Sequence, residues 1–98
     1  MTELDKLEKY LKGKGIEYQR YDEKGPTFET SRGWKSFDRH QIVVEDNGEY
    51  LWDAICHYGS YGYEEGLLEV MGEHLIGHGD VEGYLTAEDV IAIIEEEK

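Results

Sequence analysis

The chain has 98 residues, 23 Asp and Glu against 10 Lys and Arg, and a net charge of −13 at pH 7. A chain this short buries about two-thirds of its extended surface, so it supports a single domain (1–98) with one modest core. One cysteine, Cys56, excludes an internal disulfide framework, and no apolar run approaches the roughly 20 residues needed to cross a bilayer. The charged amino terminus MTELDKLEKYL lacks the apolar stretch of a signal peptide, so the expectation is a cytoplasmic protein without membrane contact. With 39% apolar residues, including 8 Tyr and 2 Trp, it is expected to be ordered.

In chain order, Thr2 and Asp5 form a T-x-x-D capping box, and Leu4, Leu7 and Leu11 recur at helical spacing, predicting a first helix over 3–12 that Gly13 and Gly15 end. Residues 16–22 and 27–32 read as two strands of a hairpin turned by Lys24-Gly25-Pro26. Trp34 and Phe37 open a further strand running through His40 into Ile42 and Val44. The clearest turn is Asp46-Asn47-Gly48, between alternating strands 41–45 and 49–56, because Asn-Gly tolerates positive φ at both turn positions. Alternation places Tyr50, Trp52, Ala54 and Cys56 on one face.

After the loop 59–63, Leu67, Leu68, Met71 and Leu75 suggest a helix, with Ser60 as a candidate cap and an interior Gly66 costing about 1 kcal/mol relative to Ala. Thr86 and Asp89 then cap a last helix over 87–97, with Leu85 placed to staple onto Val90. The expected fold is α+β: a small antiparallel sheet of three or four strands, with one N-terminal helix and two C-terminal helices packed on it.

Several local patterns invite chemistry. Residues 78–89 resemble an EF-hand loop, with Asp80, Glu82 and Asp89 at ligand positions and Gly83 at the obligatory glycine. However, His78 replaces the first carboxylate and Asp89 is one methylene short of the usual glutamate. A turn followed by a helix cap explains the same residues without calcium. Cys56 with His40, His57, His74 and His78 meets no zinc or thiol-catalysis spacing. Gly59-Ser60-Tyr61-Gly62 lacks the lysine of a phosphate loop. No cofactor and no catalytic residue is therefore assigned, and the expectation is a protein that is not an enzyme.

Charge is the informative feature. Residues 1–40 carry eight acidic and nine basic side chains, whereas 41–98 carry fifteen acidic and only Lys98. A segment so composed cannot neutralise itself by local ion pairs and projects a negative field, which makes direct nucleic-acid and membrane contact unfavourable. Asp46, Glu49, Asp53, Glu64, Glu65 and Glu69 are the candidate binding surface. Rows of carboxylates on a rigid fold can substitute for phosphates and dock into a cationic groove. Trp52, Tyr58, Tyr61 and Tyr63 lack flanking cations for base stacking, so they are candidate core or protein-interface anchors.

The segments LWDAICHYGSYGYEEGLLEVMG (51–72) and DVEGYLTAEDVI (80–91) resemble small uncharacterised acidic proteins of phages and mobile elements of Gram-positive bacteria. The resemblance brings no catalytic residues. It implies a context in which small acidic proteins inhibit host nucleases and other defence proteins, some by resembling DNA in charge, as in an anti-CRISPR-like role. The leading expectation is thus a non-enzymatic acidic protein engaging a basic surface of a nucleic-acid-handling protein. The alternatives are an accessory domain that homodimerises through Trp52 and the tyrosines, and a degenerate calcium module.

Overall fold

The computed structural model describes residues 1–77 and 79–96. The elements run α1 (Glu3–Lys14), β1 (Tyr18–Glu23), β2 (Thr27–Thr30), β3 (Gly33–Ser36), β4 (Arg39–Asp46) and β5 (Glu49–Ile55). A single 3-10 turn, Tyr63–Glu65, follows, then β6 (Leu68–Met71), β7 (Val81–Leu85) and α2 (Ala87–Glu96). The fold is α+β, with a five-stranded antiparallel sheet ordered β1-β4-β5-β6-β7 and a separate two-stranded arm, β2-β3.

Both helices start as their sequences dictate. The Thr2 hydroxyl accepts from the Asp5 amide at 3.1 Å while Asp5 accepts from the Thr2 amide at 2.8 Å, and Gly15 closes α1 at φ 69°. Thr86 and Asp89 repeat the arrangement at α2. The helices lie together on one face of the sheet, where Leu4, Leu7 and Leu11 of α1 and Ala87, Val90 and Ile94 of α2 cover Ile42, Val44, Trp52, Ala54, Leu68 and Val70. Burying an aliphatic side chain of this size is worth about 1.5–3 kcal/mol. This single layer of contacts is the core. Glu3 also accepts from the Ala87 amide at 2.7 Å, joining the start of α1 to the start of α2.

Three expectations are corrected. The helix expected around Leu67 to Leu75 is instead β6. Gly62 and Gly66, at φ 96° and 72°, confine helical geometry to one turn between them, and beyond it Leu68 and Val70 alternate inward with Glu69 and Met71 outward. There is thus one C-terminal helix, and the sheet gains β6 and β7. The 16–22 strand does not pair with 27–32: β1 pairs with β4, while β2 pairs with β3 to form the arm. The strand expected from Trp34 to Val44 is broken between β3 and β4 at Phe37-Asp38.

The β4–β5 turn forms as read, with Asn47 and Gly48 at φ 52° and 83°. A register shift after Val44 sets Trp52 opposite Val44 but Tyr50 opposite Glu45. Strict alternation fails there, so Trp52 and Ala54 are buried whereas Tyr50 is exposed. The fourth expected member of that face, Cys56, is half-buried. The last helix is described to Glu96; the expectation at Glu97 falls outside the described residues.

Candidate protein-docking surface

Ion pairing divides the chain as its composition does. Arg20 on β1 reaches Asp5 at 2.9 Å and Glu8 at 3.0 Å through Nη1, and Asp22 at 2.8 Å through Nε. Asp22 in turn holds His40 Nδ1 at 2.8 Å. Lys6 pairs with Glu3, and Arg39 pairs with Glu23 while its guanidinium stacks on Tyr21 at 3.9 Å. Of the ion pairs among the described residues, only Arg32–Glu64 joins the two segments, at 3.9 Å between two largely exposed side chains. Among the described residues, Lys6, Arg20 and Arg39 thus pair with acids of their own segment.

The pairing is visible in protonation. The Thr2 amide, followed by Arg20, holds the Asp5 carboxyl down to about 2. The Ala87 amide, with help from Lys6, lowers Glu3, and His40, with Arg20, lowers Asp22.

The six candidate carboxylates follow one another along β5 and β6 from one end of the sheet to the other. Asp46 and Glu49 face each other at the β4–β5 turn and are exposed. Asp53 lies midway along β5, accepting from Gln41 Nε2 at 2.9 Å and from the Tyr50 hydroxyl. Glu69 is opposite Ile55 and accepts from the Tyr61 amide at 2.9 Å. Glu64 and Glu65 are exposed on the 3-10 turn beyond β6. At about 3.3 Å per residue, the seven residues of β5 separate the two ends by roughly 20 Å. Asp53 and Glu69 share the face opposite the helices, so no helix covers this row.

The aromatic candidates divide. Trp52 is corrected: it is 5% exposed and belongs to the core, so it cannot anchor a partner. Tyr58 and Tyr63 make an internal cluster, with ring centroids 5.9 Å apart, and Tyr58 also meets Phe28 at 5.0 Å and Phe37 at 6.4 Å. That cluster is what docks the arm against the body. Only Tyr61 is well exposed.

Of the calcium candidates, Asp89 is engaged elsewhere. Glu82 lies within β7, Asp89 caps α2, and among the described residues no three His, Cys, Asp or Glu side chains are grouped to hold a metal ion. His78 lies outside the described residues. The Cys56 amide donates to the His40 carbonyl at 3.0 Å, but burial pushes the Cys56 thiol up, the opposite of an activated nucleophile. His57 is lowered by burial, and its Nδ1 is buried without a partner.

Two features escaped sequence reasoning. One is a groove of about 370 Å³ beside the acidic row, lined by Tyr50, Leu51, Met71, Asp80 and Val81. The other is the arm's outer face, where Trp34 stands opposite Glu29 and is 68% exposed. A tryptophan on a four-residue strand beside a glycine was the available signal for the second. The groove depends on β6–β7 pairing, which no local pattern announces.

No family model, no curated protein and no solved structure matches this chain. Among the described residues no helix is long and apolar enough to cross a membrane.

Proposed function

We propose that this protein is a non-enzymatic binding protein whose acidic row engages a basic surface on a nucleic-acid-handling protein, occupying a site otherwise used by phosphates. The observation that carries this reading is the row itself: of Asp46, Glu49, Asp53, Glu64, Glu65 and Glu69, Glu64 alone has an ion pair among the described residues, and that to exposed Arg32, so a cationic partner can supply what the fold does not. Exposed carboxylates at both ends of the row, with Asp53 and Glu69 between them, suit a contact about 20 Å long.

The test is competition. Purified DNA-binding proteins are loaded with a labelled duplex and titrated with this protein at about 50 and 200 mM salt. The reading predicts displacement of the duplex from at least one of them, weakened more than tenfold by the added salt, because the contact is made by exposed charges. Displacement that ignores salt, or none at the lower salt, overturns it.

A further inference from the structure

We propose that the pocket lined by Tyr58, Tyr63 and Tyr84 receives one arginine side chain of the basic partner, with Glu64 and Glu65 on the same lining as its counter-charges. The inference rests on the docking proposed above and names the side chain that seats at one end of the carboxylate row.

The pocket lies where the loop after β5 meets β7. It encloses about 290 Å³, and Gly59, Ser60 and Gly62 complete its lining. That volume sits at the lower limit of the ~300–1,000 Å³ of sites that enclose small ligands, so it suits a single side chain. Its walls are set without an occupant. The Ser60 hydroxyl accepts from the His57 amide at 3.1 Å and donates to the His57 carbonyl at 2.7 Å, which closes the loop. Tyr58 and Tyr63 meet edge to face, with ring centroids 5.9 Å apart.

The third ring is held by a backbone conformation that tyrosine rarely adopts. Tyr84 lies at φ 58°, and its amide donates to the Tyr61 carbonyl at 3.2 Å. Gly62 permits this approach, since a Cβ there would come within 3.0 Å of the Tyr84 Cα. Left-handed backbone at a bulky residue is strained, and such strain gathers at ligand sites. Packing does not explain it here, because Tyr84 is 59% exposed and takes no part in the core.

Charge selects the occupant. Aromatic rings attract cations through their faces, and carboxylates on the same lining add to that preference while repelling phosphate. Among the described residues Glu65 is in no ion pair, and Glu64 has only the 3.9 Å contact with Arg32. A pair between two exposed side chains is weak and readily exchanged. Between the two common cations, guanidinium fits better. It is planar and weakly hydrated, stacks on aromatic rings and offers paired N–H donors to a carboxylate, whereas an ammonium is compact and strongly hydrated. The chain already contains one such contact: Arg39 stacks on Tyr21 at 3.9 Å while pairing with Glu23 at 2.8 Å.

The experiment is a two-dimensional NMR titration of the full chain at about 50 mM salt, where exposed charges are least screened, with the blocked tripeptides acetyl-Gly-Arg-Gly-amide and acetyl-Gly-Lys-Gly-amide. The arginine peptide is expected to give saturable shifts at the Ser60, Gly62, Glu65 and Tyr84 amides, and the lysine peptide to bind about fivefold or more weakly. Tyr84→Gly removes the ring at a backbone conformation that glycine adopts freely, so the chain should fold unchanged. It should weaken the arginine peptide about fivefold or more, as should Glu65→Gln. Shifts that do not saturate, shifts centred on Asp46 and Glu49 instead, equal binding of the two peptides, or binding unchanged in either variant overturns the inference. Duplex competition separates this result from the reading it rests on. A protein that displaces duplex while its pocket ignores arginine loses the pocket alone, whereas one that takes the arginine peptide and displaces no duplex keeps the arginine site and loses the nucleic-acid-handling partner.

Discussion

The first forty residues and the rest of the chain solve the problem of charge in opposite ways. In the first segment Arg20 gathers Asp5, Glu8 and Asp22, and Asp22 passes the interaction on to His40. In the second, fold stability comes from burial: Ile42, Val44, Ala54, Leu68, Val70 and Val90 are almost fully enclosed, while the carboxylates between them face water. The difference teaches that the fold uses some acids of this half as hydrogen-bond acceptors but does not pair most of them with cations. Asp89 caps α2 and Glu69 holds the Tyr61 amide, but exposed Asp46, Glu49 and Glu65 take part in no ion pair among the described residues.

That contrast can be broken from either side. The largest effect is expected at Leu68, fully enclosed in a strand of the acidic segment. Leu68→Ala should cost about 2–5 kcal/mol in urea unfolding, through lost transfer energy and the cavity left behind. Next comes Arg20→Ala, which strands three carboxylates around a position whose side chain is 18% exposed, and a loss of about 1–3 kcal/mol is expected. Thr86→Ala removes the hydroxyl that accepts from the Asp89 amide, and should cost about 1 kcal/mol. Asp46→Asn changes an exposed side chain with no partner among the described residues and should change stability by no more than about 0.5 kcal/mol.

Acid sharpens the same comparison. Glu3, Asp5 and Asp22 have carboxyls lowered by their partners in the folded state, so the stability they contribute is present above their unfolded values near 4 and is lost as pH falls. For Asp5 the loss continues down to about 2. Thermal midpoints of the wild type should therefore fall between about pH 4 and pH 2, and the fall should be shallower in Arg20→Ala, which has already lost part of the pairing.

Much of this architecture is written locally. Two T-x-x-D capping boxes and the Asn47-Gly48 turn form from residues within four positions of one another, and all three are present. The second C-terminal helix was misread because Leu67, Leu68, Met71 and Leu75 satisfy a helical period by coincidence. Two glycines with left-handed φ override that spacing, and the strand pairing of Leu68 and Val70 replaces it. The pairing of β1 with β4 was hidden for a different reason: the arm is inserted between them, and local alternation carries no information about such a crossing. The Arg20–Asp22–His40 chain was hidden with it, since Asp22 meets His40 only through that register. The candidate carboxylates were legible as a group because composition alone reveals a segment without cations. Their order along β5 and β6 was not.

The central claim is that where the charge lies matters more than how much there is. Two triple variants each remove three negative charges: Asp46→Asn/Glu49→Gln/Glu65→Gln from the acidic row, and Glu8→Gln/Glu23→Gln/Glu29→Gln from the first segment. Affinity for a labelled decalysine peptide at about 50 mM salt compares them directly. The account predicts at least a tenfold loss for the first triple and less than a threefold loss for the second; equal losses would show that net charge alone governs binding and would contradict it.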